Sequence, residues 1–426
     1  MTDESSGSWT RPPSRSPLCE NPPVPSRRVL ITGLGAVTSI GPSLPEFWKS
    51  LLAGVCGIRP FSLFDSASYR RQTAAQVETI PDGSLTHAER RRMSRADRMG
   101  IVAAAEAIAA SGLDLSREAP SRVGVILGGG TSGLIDSEAF FELYLRGRKA
   151  RPSKVLNHLP DSITDRVAQR FGLEGVKSTI TTACSSSANA MGYAFDAIAA
   201  GLADVVITGG SDVLARLTYG GFNSLRSVDP DPCRPFDRER RGLSIGEAAG
   251  ILVFEDEGHA RRRGAPVVAE FRGYGVTSDA YHMTAPDPSG AAGGRTIRAA
   301  LENAGVDPSE VDYVNAHGTA TPQNDSAETA ALKAALGERA RQIPVSSIKS
   351  MIGHCLCASG AIEAVATALT VRDDKVPPTI HYEHPDPACD LDYVPNEARD
   401  ATVRVALSNS FAFGGNSSVV VLSKYA

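Results

Sequence analysis

The chain contains no apolar run close to the ~18 residues that a membrane-crossing helix needs. Its best apolar helical stretch, Ile101–Ala110, is short and interrupted by Glu106. No charge of one sign prevails, and a net charge of -4 excludes bulk attraction to nucleic acid or to an anionic membrane. Residues Met1–Arg27 are rich in Ser, Pro and Arg and lack the apolar core of a secretory signal, so a disordered tail is expected there. Regular cysteine spacing is missing too. The seven cysteines, Cys19, Cys56, Cys184, Cys233, Cys355, Cys357 and Cys389, are odd in number and scattered. That excludes a disulfide scaffold and points to reduced thiols in the cytoplasm.

What is present suits a large globular core: 426 residues, 42% hydrophobic and 22% charged. Short β-branched runs alternate with Ala-rich helical stretches, the mark of an α/β protein. Strands are predicted at Val29–Thr32, Val123–Leu127, Val205–Thr208, Ile251–Phe254, Val267–Tyr274, Tyr313–Asn315, Val403–Ser408 and Val419–Leu422. Most are continuous apolar runs, as expected where both sheet faces are covered. The chain repeats one pattern. A polar turn before Cys184 leads into an Ala-rich helix at about Ser185–Ala200, and a turn at Ser346–Ser350 leads into a comparable segment, Gly353–Val371. Small residues would let two such helices approach closely at the centre of a layered structure. The natural division lies near Gly264–Pro266, giving halves at 28–265 and 266–426.

Gly128, Gly130 and Gly133 satisfy G-x-G-x-x-G after a strand, the outline of a dinucleotide-binding turn. The segment that follows, Glu138–Arg151, is aromatic and basic, and no acidic residue closes a later strand at the required distance. A tight loop lining an internal cavity is expected instead. No metal site is expected: Cys355 and Cys357 lack a second ligand pair with zinc-like spacing and read as small apolar packing residues.

Thr181-Thr182-Ala183-Cys184-Ser185-Ser186-Ser187-Ala188 puts a cysteine where a strand-like run turns into a helix. There, free backbone N–H groups and the helix dipole favour a thiolate and can also hold an oxyanion. A buried structural cysteine is the competing reading. In Val314-Asn315-Ala316-His317-Gly318-Thr319-Ala320-Thr321-Pro322 an apolar strand ends in a histidine followed by hydroxyl residues. In Ser347-Ile348-Lys349-Ser350-Met351-Ile352-Gly353-His354 a lysine and a histidine lead into the second Ala-rich helix. A lone histidine is more often structural, but two at strand-to-helix junctions, each beside a glycine, shift that balance.

At these motifs the chain resembles the β-ketoacyl-acyl-carrier-protein synthases, in particular the elongating Cys-His-His class. The resemblance runs from about Arg28 to Leu422. It includes Pro235-Phe236-Asp237, Gly242, Gly246-Glu247, Ser278-Asp279-Ala280-Tyr281-His282-Met283-Thr284 and Ser408-Asn409-Ser410-Phe411-Ala412-Phe413-Gly414-Gly415. It implies a thiolase-like α/β fold, layered αβαβα, with two pseudo-symmetric halves. It also implies decarboxylative Claisen condensation of an acyl thioester held on Cys184 with a malonyl unit on an acyl carrier protein, in fatty-acid or type II polyketide and polyene synthesis. Cys184 would carry the acyl chain, and His317 and His354 would bind the malonyl carbonyl. Lys349 and Glu363 would form the supporting ion pair, and backbone N–H groups of Cys184 and Phe413 would hold the oxyanion. Phe413 would gate the site on a loop with Phe411, Gly414 and Gly415, partnered by Asp279 and His282, while Thr319 and Thr321 would bind the pantetheine arm. Asp325 and Glu328 would join the polar network, Glu328 as a structural bridge. No cofactor is implied beyond the carrier's phosphopantetheine.

The implied partners are an acyl carrier protein and either a second copy of the chain or a chain-length-factor paralogue. The carrier calls for a basic patch at the entrance, with Arg70, Arg71, Arg91, Arg92, Arg95, Arg98, Arg146, Arg148, Lys149, Arg151 and Lys154 as candidates. The chain departs from the family's usual pattern at Ala412 in the gating loop, at Leu243-Ser244-Ile245 and at Ala248, which leaves the pathway open. Two alternatives are a non-catalytic chain-length partner and a coenzyme-A thiolase. Retention of Cys184, His317 and His354 opposes the first, and the absence of a late Cys-x-Gly opposes the second.

Overall fold

The computed structural model describes residues 27–426, so the expected tail lies outside the described residues except for Arg27. Ten strands form the main sheet. They are β1 (Val29–Val37), β2 (Val123–Gly128), β3 (Lys177–Ile180), β4 (Val205–Asp212), β5 (Ala248–Asp256), β6 (Ala269–Ser278), β7 (Tyr313–Asn315), β8 (Val345–Ser346), β9 (Val405–Phe411) and β10 (Asn416–Ser423). Their order is β8-β7-β9-β10-β6-β1-β5-β4-β2-β3. In the first half β3, β2 and β4 run parallel, while β5 pairs antiparallel with both β4 and β1. In the second half β8, β7 and β9 run parallel, and β10 pairs antiparallel with β9 and β6. Each strand thus has a counterpart five places on. The halves meet where β1 and β6 pair over Val29–Ile31 and Ala269–Phe271.

Six helices complete the layers: α1 (Arg95–Ser111), α2 (Ser162–Phe171), α3 (Ser186–Ala199), α4 (Ala291–Ala304), α5 (Pro322–Leu336) and α6 (Ser359–Asp373). α1 packs on β1 and β5, and α2 packs on β2. α4 packs on β6 and β10 with α5 alongside it, and α3 and α6 touch strands of both halves. The result is the αβαβα layering of an α/β, thiolase-like fold with two pseudo-symmetric halves.

Local sequence explains the key elements. α1 begins in a reciprocal cap between Ser94 and Asp97 and ends at left-handed Gly112. All nine residues of β5 and all eight of β4 are buried, which is why Val205–Ile207 and Ile251–Phe254 read as continuous apolar runs. α6 is buried over thirteen of its fifteen residues and therefore carries no polar stripe. Each large side chain it buries, such as Ile362 or Leu369, contributes on the order of 1.5–3 kcal/mol. Its small residues allow α3 to come close: a Cβ on Gly360 would lie 2.9 Å from the Ala188 nitrogen.

Several expectations are corrected. Strands β3 and β8 were not predicted, because β3 is an edge strand with exposed Lys177 and Ser178 and β8 has only two residues. Residues Leu134–Leu145 form a helix despite their aromatic and charged composition. Only Ser137 of it is buried, so no core-facing stripe marked it. The segment expected at Gly353–Val371 divides into a 3-10 turn at Leu356–Ala358 and α6, and a short helix at Lys349–Ile352 precedes it. The glycine-rich loop is tightly packed. A Cβ on Gly128 would strike the start of α3, one on Gly130 would strike Cys357, and one on Gly133 would strike Asn157.

Gly360→Val is expected to lower stability by about 1–3 kcal/mol, because the added carbons must force α3 and α6 apart. A denaturant titration with a lower midpoint and an unchanged slope would report it; an unchanged midpoint would contradict the close packing.

Candidate active site

Cys184 follows a sharp turn between β3 and α3, and Ala183 within it holds φ +51°. The hydroxyl-rich sequence binds itself into that shape. The Thr182 N–H donates to Ser186 Oγ at 2.9 Å, Ser186 Oγ donates to the Ala183 carbonyl at 2.6 Å, and Asn189 Nδ2 donates to Thr182 Oγ1 at 2.8 Å. Similar backbone strain occurs at Ala320, φ +66°, after His317, and at Leu356, φ +53°, after His354. Three turns bearing the candidate catalytic residues each hold a non-glycine residue in a conformation that costs of order 1–3 kcal/mol.

The three side chains converge on one cleft, whose walls also include Thr319, Thr321, Asp279, His282, Phe411, Phe413, Gly414 and Gly415. The His317 and His354 rings lie 5.4 Å apart and nearly perpendicular. Lys349 and Glu363 do not line the cleft. They form a buried ion pair behind it, and Lys349 Nζ lies 3.2 Å from His317 Nδ1. An ammonium only donates, so Nδ1 of His317 accepts and its proton sits on Nε2. On His354 the Leu356 N–H donates to Nδ1 at 3.0 Å, which fixes the same tautomer. Both rings therefore offer an Nε2–H donor.

Burial, reinforced by the Lys349 charge, holds both imidazoles well below their usual pKa, so they are neutral at pH 7. Burial pushes the Glu363 carboxyl up, while Lys349 opposes the shift. The Cys184 thiol is pushed up to about 11 by burial; Lys349 and the backbone N–H groups of Phe413 and Cys184 pull the other way. The N–H groups act in the expected direction, toward the thiolate, and desolvation outweighs them.

Other residues take defined places. Glu328 makes no side-chain bridge to a cation. It accepts from the N–H groups of His317 and Gly318, both at 2.8 Å, and from Asn409 at 3.0 Å, which fixes the histidine-bearing turn. Asp325 accepts from Phe236 and Ala320 N–H groups at 2.7 and 3.1 Å. Thr319 and Thr321 share a 3.0 Å hydrogen bond. Gly414 and Gly415 hold φ +77° and +75°. Their loop is tied to its neighbour by Gly414 N–H to the Met283 carbonyl, 2.8 Å, and Asp279 N–H to the Gly415 carbonyl, 3.1 Å. Ala412, at φ -108°, sits in extended backbone that alanine adopts without strain.

Sequence reading missed Phe222, whose ring lies 5.6 Å from Phe413 at the cleft wall, and Ser359, bonded to His354. Nothing in their local sequence marks either one. None of the basic candidates lines the cleft. Arg95 and Arg98 are engaged with Glu247 and Asp82, both at 2.6 Å. Arg91, Arg92, Arg151 and Lys154 share a separate surface hollow with Arg166. Cys355 and Cys357 are buried, with thiols pushed up by burial. Among the described residues no group of three His, Cys, Asp or Glu is placed to hold a metal ion, and no helix is long and apolar enough to cross a membrane.

A resting thiol this high should alkylate slowly at neutral pH, with the rate rising about tenfold per pH unit past pH 9. Iodoacetamide labelling of Cys184 followed by mass spectrometry measures this; a plateau below pH 8 would contradict it.

Comparison with known proteins agrees with this geometry. Residues 26–260 match the family model described as beta-ketoacyl synthase, N-terminal domain, and residues 268–383 match the C-terminal domain of the same family. The chain is 41% identical over 409 residues to 3-oxoacyl-[acyl-carrier-protein] synthase 2 of Staphylococcus aureus strain COL, covering 94% of this chain and 99% of that protein. It is 43% identical over 414 residues to the putative polyketide beta-ketoacyl synthase 1 of Streptomyces halstedii, covering 93% and 98%. Among solved structures, the ishigamide ketosynthase/chain length factor superposes with a TM-score of 0.90 at 35% identity, over 94% of this chain and all of that one. The chain belongs to the β-ketoacyl synthase family and is a condensing enzyme of the acyltransferase class.

Proposed function

We propose that the 28–265 half supplies the nucleophile and the 266–426 half the two imidazoles of a β-ketoacyl-acyl-carrier-protein synthase. The observation that carries this reading is the shared tautomer: two neutral rings that line one cleft with Cys184, each with Nδ1 occupied and its proton on Nε2. Cys184 sulfur attacks the acyl thioester of the carrier, the new C–S bond replaces the old one, and the thiol proton leaves with the pantetheine sulfur. The malonyl thioester then binds with its carbonyl oxygen at the Nε2–H groups of His317 and His354. As the bond to carbon dioxide breaks, its electron pair enters an enolate whose oxygen those donors stabilise. The enolate carbon attacks the acyl-Cys184 carbonyl. The resulting oxyanion sits at the N–H groups of Cys184 and Phe413, and the Cys184 sulfur departs.

Lys349, paired with Glu363, keeps His317 in its donating tautomer. Phe413 turns on Gly414 and Gly415 to admit the acyl chain, with Asp279 and His282 on the loop bonded to it. Thr319 and Thr321 receive the pantetheine arm. The substrates arrive on an acyl carrier protein, and no other cofactor enters the scheme. The chain works as a dimer, with a second copy or a chain-length-factor paralogue, in fatty-acid or type II polyketide assembly. Six free cysteines among the described residues support work in the reducing cytoplasm.

Cys184→Ala is expected to abolish acyl transfer without unfolding the chain, and His317→Ala to slow malonyl decarboxylation more than acylation. Mass spectrometry after incubation with acyl-carrier thioester should map the acyl group to Cys184. Acylation at another residue would refute the assignment.

A further inference from the structure

His354 has a second neighbour at Nδ1. Ser359 Oγ, on the first residue of α6, lies 2.9 Å from it, on the same ring nitrogen that the Leu356 N–H reaches at 3.0 Å. Ser359 is buried, and this is the one side-chain hydrogen bond its hydroxyl makes among the described residues. Because the Leu356 N–H can only donate, Nδ1 carries no proton, so the serine hydroxyl must donate as well.

We propose that Ser359 is a positioning residue for the condensation: its hydroxyl, with the Leu356 N–H, locks His354 in the Nε2–H tautomer and sharpens that proton as a donor. Two donors aimed at Nδ1 draw electron density from the ring and make its Nε2–H a stronger hydrogen-bond donor to an enolate oxygen. They also oppose the competing event at this ring. Imidazolium formation would put a proton on Nδ1 and break both bonds. The ionisable groups around His354 are His317, Cys184, Glu328, Asp279 and His282 along the cleft, with Lys349 and Glu363 behind it. Glu247 follows the Ser244–Gly246 segment, which is bonded to His354 through the backbone, and Asp212 accepts from the Cys357 N–H on the adjoining turn. None of these contacts Nδ1, so the serine is the side chain that controls it. The inference rests on the proposed role of His354 and adds the residue that orients it.

The test measures malonyl decarboxylation and Cys184 acylation separately across pH, in the full chain with its partner subunit, for the wild type, S359A, S359T and H354A. S359A is expected to slow decarboxylation by about 3- to 10-fold, the effect of one lost neutral hydrogen bond. Its acid limb should move upward by about half to one pH unit, since His354 then protonates more easily. Acylation of Cys184 should stay unchanged, and S359T, which keeps the hydroxyl, should restore the wild-type profile. The nitrogen NMR shifts of labelled His354 should lose their pure Nε2–H signature in S359A. If S359A does not fold, S359C, with its weak thiol donor, should show the same displacements. An acid limb and imidazole shifts identical to wild type, with H354A inactive in decarboxylation, would overturn the role of Ser359 alone. Full decarboxylation by H354A would instead overturn the proposed role of His354, and the imidazole shifts alone would then decide whether Ser359 donates.

Discussion

Cys184 and His354 are 170 residues apart in the chain, yet each lies on a turn that leads into a helix, and those two helices, α3 and α6, pack against each other. The close approach of α3 and α6 is the constraint on which the site depends. It is possible because the facing positions are glycine, alanine and serine, with Gly360 against Ala188 and the Ala361 N–H donating to Ser187 Oγ at 2.8 Å. Larger residues would separate the helices and, with them, the thiol from the imidazole. The repeated strand order places the two helices back to back between sheet halves. One architectural motif, used twice, therefore makes a site that neither half holds alone.

Burial at this contact decides the electrostatics. Taken out of water, the imidazoles become neutral donors and the thiol stays protonated. The cation buried behind the cleft, Lys349, is matched by Glu363 and placed so that His317 must accept from it. Removing one partner of such a pair typically costs about 3–5 kcal/mol, because the other charge is left alone in a low-dielectric interior. Carboxylates that look like candidate acids have a different task. Glu328 and Asp325 accept from backbone N–H groups and fix the turn that carries His317, Thr319 and Thr321.

Much of this was legible in the residues. Long buried strands such as β4 and β5 announced themselves as apolar runs, and the two Ala-rich helices announced the repeat. The cysteine and histidine turns stood out because small and hydroxyl residues surround a reactive side chain at a strand end. What stayed hidden had weak local signals. β3 and β8 are short edges, and the helix at Leu134–Leu145 turns its apolar residues outward, Phe141 and Leu145 among them. Phe222 and Ser359 are ordinary residues whose importance comes from what they touch.

The sequence by itself determined the α/β class and the twofold repeat and singled out Cys184, His317 and His354 as candidates, because these follow from hydrophobic period and residue chemistry at turns. Tertiary structure decided the protonation of the thiol, the tautomer of each imidazole and the engagement of Arg95 and Arg98 in ion pairs away from the cleft. These properties depend on desolvation and on donors brought in from distant parts of the chain, and neither is written in any local stretch of residues.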